Sequence, residues 1–472
     1  MAGGRVTRET VLVFLGLQLA MVVSPMGGTI VATASPAIVA DLGGLSRVTW
    51  LVTAYLLAQV ASMPLWGKLG DLHGRKRMLL LSVTVFLGGS LACAAAQSMD
   101  HLLVARFVQG AGGGGIGVVA MALVADIVPA RQLGRWLGYQ GIVFAVASLV
   151  GPVLGGVLVD HLTWRWAFTI NIPFCGLALL LVGTNLHLPR RRIEAAVDWL
   201  GSALLALALV AFIILSSLGG ESFGWVSPAA VGLLLGSAGL TWVFVIHERR
   251  TPEPVMPMRM FSDKVLRVSM AINWTSGLVF WCALFFVPLF MQSVRGVSPT
   301  SSGLVLVPVM FGAAFGTGIA GRRVERTGTL RTWPIAGGAL MIAGVASMAT
   351  MGTATPTWLA ASYAMLVGTG VGFAMQTSLL AAQNSAEPGD LGTVTSSQLL
   401  FRMLGSLIGV PIFGGILNAG LDGSGTPAAF ADALPPVFLA AVPIAILSLV
   451  VALRLPERPL RETTPTPSDS LV

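Results

Sequence analysis

Gly110, Gly112 and Gly115 stand at the G-x-G-x-x-G spacing that cradles a dinucleotide pyrophosphate, within the stretch 105–120, ARFVQGAGGGGIGVVA. Such a loop needs a strand before it, a helix after it and an acidic residue about 20 positions further on. Here the glycines lie wholly inside an apolar run, and Asp126 follows too soon, with no second strand between. The nucleotide reading therefore fails. No G-x-x-x-x-G-K-[ST], H-E-x-x-H or G-x-S-x-G pattern occurs, so the sequence lacks the phosphate loop of an ATP-driven pump and the motifs of zinc or serine hydrolases. Cys93, Cys175 and Cys282 are too dispersed for a metal site or a disulfide framework. The expectation is a chain that is not an enzyme and holds no metal and no cofactor.

The charged residues that could do other work are few. Arg106 sits a few positions inside an apolar run, with Gln109 on the same helical face. A charge there is costly and turns toward a cavity, a partner or the nearest membrane surface. Arg402 lies deeper in another run, too deep to snorkel easily. Asp71 precedes Arg75 by four residues, a spacing that lets the two pair. Gly74, between them, permits a tight turn before a basic cluster. The run of glycines gains a different meaning in a membrane helix. Gly110, Gly114 and Gly117 share one face, along which another backbone can approach closely. That face serves either ordinary packing or a seam that slips between moving bundles.

These residues must be positioned by helices in lipid. Of 472 residues, 55% are hydrophobic and 10% charged, against about 25% charged in soluble domains; the mean hydropathy is +0.84. A spanning helix takes roughly 20 apolar residues. Fourteen stretches qualify, at 11–33, 48–67, 78–98, 102–126, 136–159, 165–187, 199–218, 229–247, 265–291, 301–320, 332–351, 356–382, 393–418 and 435–454. The first exceeds a signal-peptide core of about 7–15 residues and reads as an uncleaved helix. With the N-terminus inside, 23 of the 28 Lys and Arg residues fall in cytoplasmic segments and three (Arg47, Arg165 and Arg295) outside; Arg106 and Arg402 lie within spans. That asymmetry sets both termini in the cytoplasm and accounts for the net charge of +8 without nucleic acid. The expected fold is an all-α membrane protein. Its divisions are a six-helix bundle at 1–187, two extra helices and loops at 188–263, a second six-helix bundle at 264–455 and a disordered tail at 456–472.

A repeat supports the two bundles. GKLGDLHGRKR begins at Gly67 and GRRVERTGTLR at Gly321, each after the second span of its six. In register, Gly67 matches Gly321, Asp71 matches Glu325, Gly74 matches Gly328 and Arg77 matches Arg331. Such repeats mark secondary transporters with a midplane site.

At these residues the chain resembles the major facilitator superfamily, specifically its fourteen-helix drug:proton antiporter branch. Gly67, Asp71, Gly74 and Arg75 resemble its loop 2–3 motif; Arg106, Gln109 and Gly110 resemble its helix 4 motif. Gly151, Pro152, Gly155 and Gly156 in SLVGPVLGG resemble the helix 5 antiporter motif, with Ala147 in place of its usual leading Gly. VPLFMQSVRGVSPTSSGLVLVP and FRMLGSLIG, with Arg402 and Gly405, extend the resemblance to 10–455. It implies proton-coupled export by alternating access from the inner membrane of a bacterium. It also implies a charge relay among Asp71, Arg75 and Asp126 that latches one conformation, with Arg106 in the coupling set.

One departure matters. The branch carries an Asp in helix 1 where this chain has Gly27, and none of the 20 acidic residues lies deep in any span. Asp71 and Asp126 are the remaining candidates for a coupling proton; otherwise the substrate's own proton couples. With no buried carboxylate and two buried arginines, the expected substrate is a neutral or weakly acidic amphiphile. Gln18, Thr29, Thr33, Tyr55, Gln59, Gln109, Gln140, Asn273, Trp274, Gln376, Gln398 and Arg402 would line its cavity. The expected partners are this small molecule and membrane lipids, with the protein a monomer energised by the proton gradient. An importer, or a receptor on the same fold, is the alternative.

Overall fold

The structure is a computed structural model and describes residues 8–43, 47, 50–128, 136, 139, 143, 147, 151, 154, 157–159, 161–186, 198–218, 224, 227–252, 254–296, 306–387, 390–421 and 426–460. Its helices are α1 (Arg8–Leu42), α2 (Trp50–His73), α3 (Arg75–Ala94), α4 (Met99–Ile127), α5 (Trp166–Thr169), α6 (Asn171–Asn185), α7 (Trp199–Leu218) and α8 (Pro228–Glu248). They continue with α9 (Lys264–Ser293), α10 (Leu306–Thr327), α11 (Thr332–Met348), α12 (Thr357–Ser385), α13 (Leu391–Gly420) and α14 (Pro427–Leu453). There is no strand among the described residues. Lipid offers the backbone no partner, so helices are what such sequences form. Every expected stretch apart from 136–159 overlaps one of these helices, and most of 136–159 lies outside the described residues. Among the described residues, nine helical stretches are long and apolar enough to cross a membrane. α2 and α10 are not among them, because each spends part of its length on polar residues such as Gln59 and Asp71, or Arg322 and Glu325.

Two groups of helices emerge from the contacts. In the first, α2 and α3 both pack on α4, and α1 packs on α6. In the second, α10 and α11 pack on α12, while α9 touches α12, α13 and α14. The groups meet mainly where α2 and α4 face α13. A plug of Met63, Val118, Met121, Leu379 and Leu399, flanked by Met21 and Met403, fills this seam.

The glycine stripe of α4 belongs to the first group and not to the seam. A Cβ on Gly110 would run into the Tyr55 carbonyl of α2, and one on Gly114 would meet Ser62 of the same helix at 2.5 Å. A Cβ on Gly117 would meet nothing within 4 Å among the described residues, so it is no part of that contact. The stripe therefore locks α4 to α2; it is not the surface on which the two groups slide.

α7 and α8 pair with each other, and α7 touches both α2 and α13. Leu205, Leu209 and Ile213 of α7 share an apolar cluster with Leu57 and Val60 of α2 and Leu400 of α13. The loop after α8 is drawn back into this cluster. Buried Glu248 accepts hydrogen bonds from the backbone amides of Val255 and Met256, both at 3.2 Å, which seats Met256 beside Leu205 and Leu400. Asp198 caps α7 through the Gly201 amide (2.8 Å) and meets His247 Nε2 at 2.9 Å.

Candidate functional site

The turn between α2 and α3 is made by Gly74, whose φ of +92° lies where side-chain-bearing residues are strained. Its counterpart in the repeat, Gly328, has φ +72°, so the two motifs share their turn as well as their letters. The turn brings Asp71, at the end of α2, within reach of Arg75, at the start of α3. Arg75 Nη2 donates to Asp71 Oδ1 at 2.7 Å, and Nη1 pairs with Asp126 at the end of α4. Asp71 and Arg75 are buried; Asp126 is one-third exposed. Asp71, Arg75 and Asp126 thus form one connected charge cluster.

Its principal partner is one that sequence reasoning missed. Asp71 Oδ1 accepts from the Gly392 amide (2.9 Å), and Oδ2 accepts from the Thr393 amide (2.9 Å) and the Thr393 hydroxyl (3.2 Å). A carboxylate of the first helix group therefore caps the N-terminus of α13 in the second. That helix has no side-chain cap of its own, since Asp390 pairs with Arg259 at 2.5 Å. Exposed helix-terminal amides and the helix dipole favour an anion at this point. Gly67 makes the approach possible. A Cβ there would sit 2.6 Å from Ser396 Oγ and 2.7 Å from the Gly392 carbonyl. The one signal in the sequence was the run Gly392-Thr393-Val394-Thr395-Ser396-Ser397, small and hydroxylic at a helix start, like the partner of a close contact.

Arg106 lies elsewhere, about 30 Å along α4 from Asp126 at the usual rise, and does not join the triad. It is fully buried, which rules out snorkelling. Nε donates to the Leu51 carbonyl (2.9 Å), and Nη1 donates to the Gly27 carbonyl (3.2 Å) and Gln109 Oε1 (2.6 Å). The guanidinium also lies 4.4 Å from the Tyr55 ring centroid. Thus Gly27, where a carboxylate was missed in the sequence, offers its backbone oxygen instead. Gln109 donates in turn to Ser90 (2.8 Å). It is fully buried within this network.

The other candidates separate in the same way. Tyr55 and Gln59 both bond Ser24 of α1, at 3.0 Å each. Asn273 bonds Gln398 (2.8 Å) and Ser378 (3.0 Å), tying α9, α12 and α13 together. Among the described residues, both amide atoms of Gln18 lack a hydrogen-bond partner, as do Nε2 of Gln376 and Nε2 of Gln398. Trp274 is half-buried on α9. Arg402 is half-buried and has no hydrogen-bond or ion partner among the described residues. Thr29 and Thr33 fall in α1, but their side chains lie outside the described residues; Gln140, Pro152, Gly155 and Gly156 lie outside them altogether. Gly151 is described and buried.

The Major Facilitator Superfamily model matches residues 17–410. An uncharacterized MFS-type transporter of Mycobacterium tuberculosis is 37% identical over 96% of this chain and 70% of its own length. Multidrug transporter protein MdtP and multidrug resistance protein 3, both of Bacillus subtilis, are each 34% identical; the alignments cover 88% and 86% of this chain and 76% and 79% of theirs. Among solved structures, the proton:xylose symporter XylE aligns with a TM-score of 0.67 at 14% identity, over 96% of this chain and 98% of its own. The human organic anion transporter MFSD10 aligns at 0.65 and 17%, over 96% and 100%. With two helix groups joined across a seam by an acid from the α2–α3 turn, and a family match over most of its length, this chain belongs to the major facilitator superfamily.

Proposed function

We propose that this protein is a fourteen-helix multidrug exporter of the drug:proton antiporter branch. It sits as a monomer in a bacterial inner membrane with both termini in the cytoplasm. Two six-helix bundles rock about a central pocket, and α7 and α8 are the extra pair. The observation that carries this reading is the Asp71–α13 latch, which closes the seam at its basic, cytoplasmic end. The relatives named for multidrug transport support export as its direction.

The latch has the magnitude such a cycle needs. Breaking a buried, hydrogen-bonded charge contact costs about 3–5 kcal/mol, while two functional conformations differ by a few kcal/mol. Loss of the Asp71 contacts is therefore enough to invert the bias. A proton on Asp71 removes its charge and weakens its hold on the α13 amides and on Arg75, which then keeps Asp126. The proton gradient acts through these carboxylates in this reading, since no acid of a described helix lies more than about two turns from a helix end.

The test is efflux of a fluorescent drug from energised cells, with and without an uncoupler. Export predicts that the uncoupler raises accumulation in cells carrying the native protein and has little further effect with Asp71→Ala. An importer would lose accumulation on uncoupling, and that result would reverse the assignment.

A further inference from the structure

We infer that Arg402 is the anion-binding anchor of the transport pocket, so that the preferred substrate is an amphiphile bearing a carboxylate or a comparable oxyanion. This rests on the export reading for the pocket, and it adds the charge that the substrate carries.

The location follows from the contacts of α13. Leu399 and Met403 face the plug between the helix groups. Leu400 faces α7, together with Leu404 and Leu407. Gln398 and Gly405 face α9, through Asn273 and the Trp274 carbonyl. At about 100° per residue, Arg402 projects between the α9 side and the plug side, toward the space between the two helix groups. It lies about 16 Å from the latched end of the helix by the usual rise. It is half-buried there, unlike the fully enclosed Arg106.

The chemistry on offer is one-sided. A guanidinium presents five N–H donors and no acceptor. Gln398, one turn away, has its oxygen taken by Asn273 and its Nε2 without a partner among the described residues, in a side chain that is almost wholly buried. Among the described residues no carboxylate pairs with Arg402. Donors without acceptors, beside an apolar wall of Leu399, Met403 and Met21, suit a carboxylate on an apolar body. Arg and carboxylate pair through two parallel bonds. A partnerless cation in a low-dielectric pocket gains much from such a counter-ion and repels a cationic amphiphile.

The charge also has an energetic use. An anion leaving a cell that is negative inside moves down the potential. About 100 mV supports roughly a 50-fold outward gradient of a monovalent anion. The membrane potential thereby adds to the proton gradient without any titratable group at mid-membrane.

The test compares pyrenebutyrate with its neutral amide, pyrenebutyramide. Binding to the purified full chain in nanodiscs is read by energy transfer from tryptophan to pyrene. The native protein is expected to prefer the carboxylate by about tenfold. Arg402→Gln should abolish the preference and leave amide binding within about twofold, whereas Arg402→Lys should keep most of the preference by keeping the charge. Equal binding of the two probes by the native protein, binding of neither, or parallel loss of both in Arg402→Gln overturns the proposal. A failure of the export reading shows elsewhere, as uncoupler-insensitive accumulation in cells, and leaves this binding comparison standing.

Discussion

Gly67 and Gly27 show how much one missing side chain can decide. At Gly67 the backbones of α2 and α13 approach so closely that a methyl group would meet Ser396 and the Gly392 carbonyl. Gly67→Ala should therefore wedge the latch open. Thiol labelling of cysteines placed along α13 near Ser396 is expected to rise by about tenfold, a shift of about 1.4 kcal/mol, while the protein remains folded. At Gly27 the opposite holds. A Cβ would lie 3.7 Å from Phe86 and 4.0 Å from Gln109, in ordinary contact. Gly27→Asp should be tolerated and set a carboxylate near Arg106, giving transport a pH dependence that the native protein lacks at that position; unchanged pH profiles would count against it. Arg106 itself holds two backbone carbonyls and Gln109. Arg106→Ala removes the donor that joins them and leaves a cavity where a fully buried side chain stood, and should destabilise the protein by about 3–5 kcal/mol, read as a lowered melting temperature in detergent.

Helices were far more legible than their neighbours. Runs of roughly 20 apolar residues announce spans because lipid leaves the backbone no alternative. The Asp71–Arg75 pair was legible because four residues on, across a glycine turn, is a local relation. The Asp71–Gly392 contact bridges 321 positions, and no local period encodes it. The same limit explains Gln109. Its spacing placed it on the face of Arg106, as found, but could not say that Ser90 of α3 stands opposite. The fold of the loop after α8 was likewise hidden, since it depends on Glu248 reaching forward to the Val255 and Met256 amides. Glu248→Ala should release that loop. Hydrogen–deuterium exchange of the two amides is expected to speed up by about tenfold or more, as a contact of about 1.5–3 kcal/mol is lost, with little change in α9.

Across both helix groups, the proposed alternating access requires the Gly67–Gly392 contact to part. Met63 of α2 and Leu399 of α13 share the plug that fills this seam, so cysteines there link the two helices without wedging a side chain between the glycines. An oxidised Met63→Cys/Leu399→Cys pair should stop transport, and a reductant should restore it. Cys93, Cys175 and Cys282 are buried and unlinked, so they do not confuse the result. Transport that continues in the oxidised protein would mean that this end never opens.

α7 leans on α2 and on α13 together. In the proposed cycle those two separate, and α7 must then part from one of them or slide along it, exposing leucines to water or lipid as it goes. On that reading α7 and α8 behave as a spring laid over a hinge, with apolar contacts stretched once in every turnover, and trimming Leu205 or Leu209 would soften the return stroke.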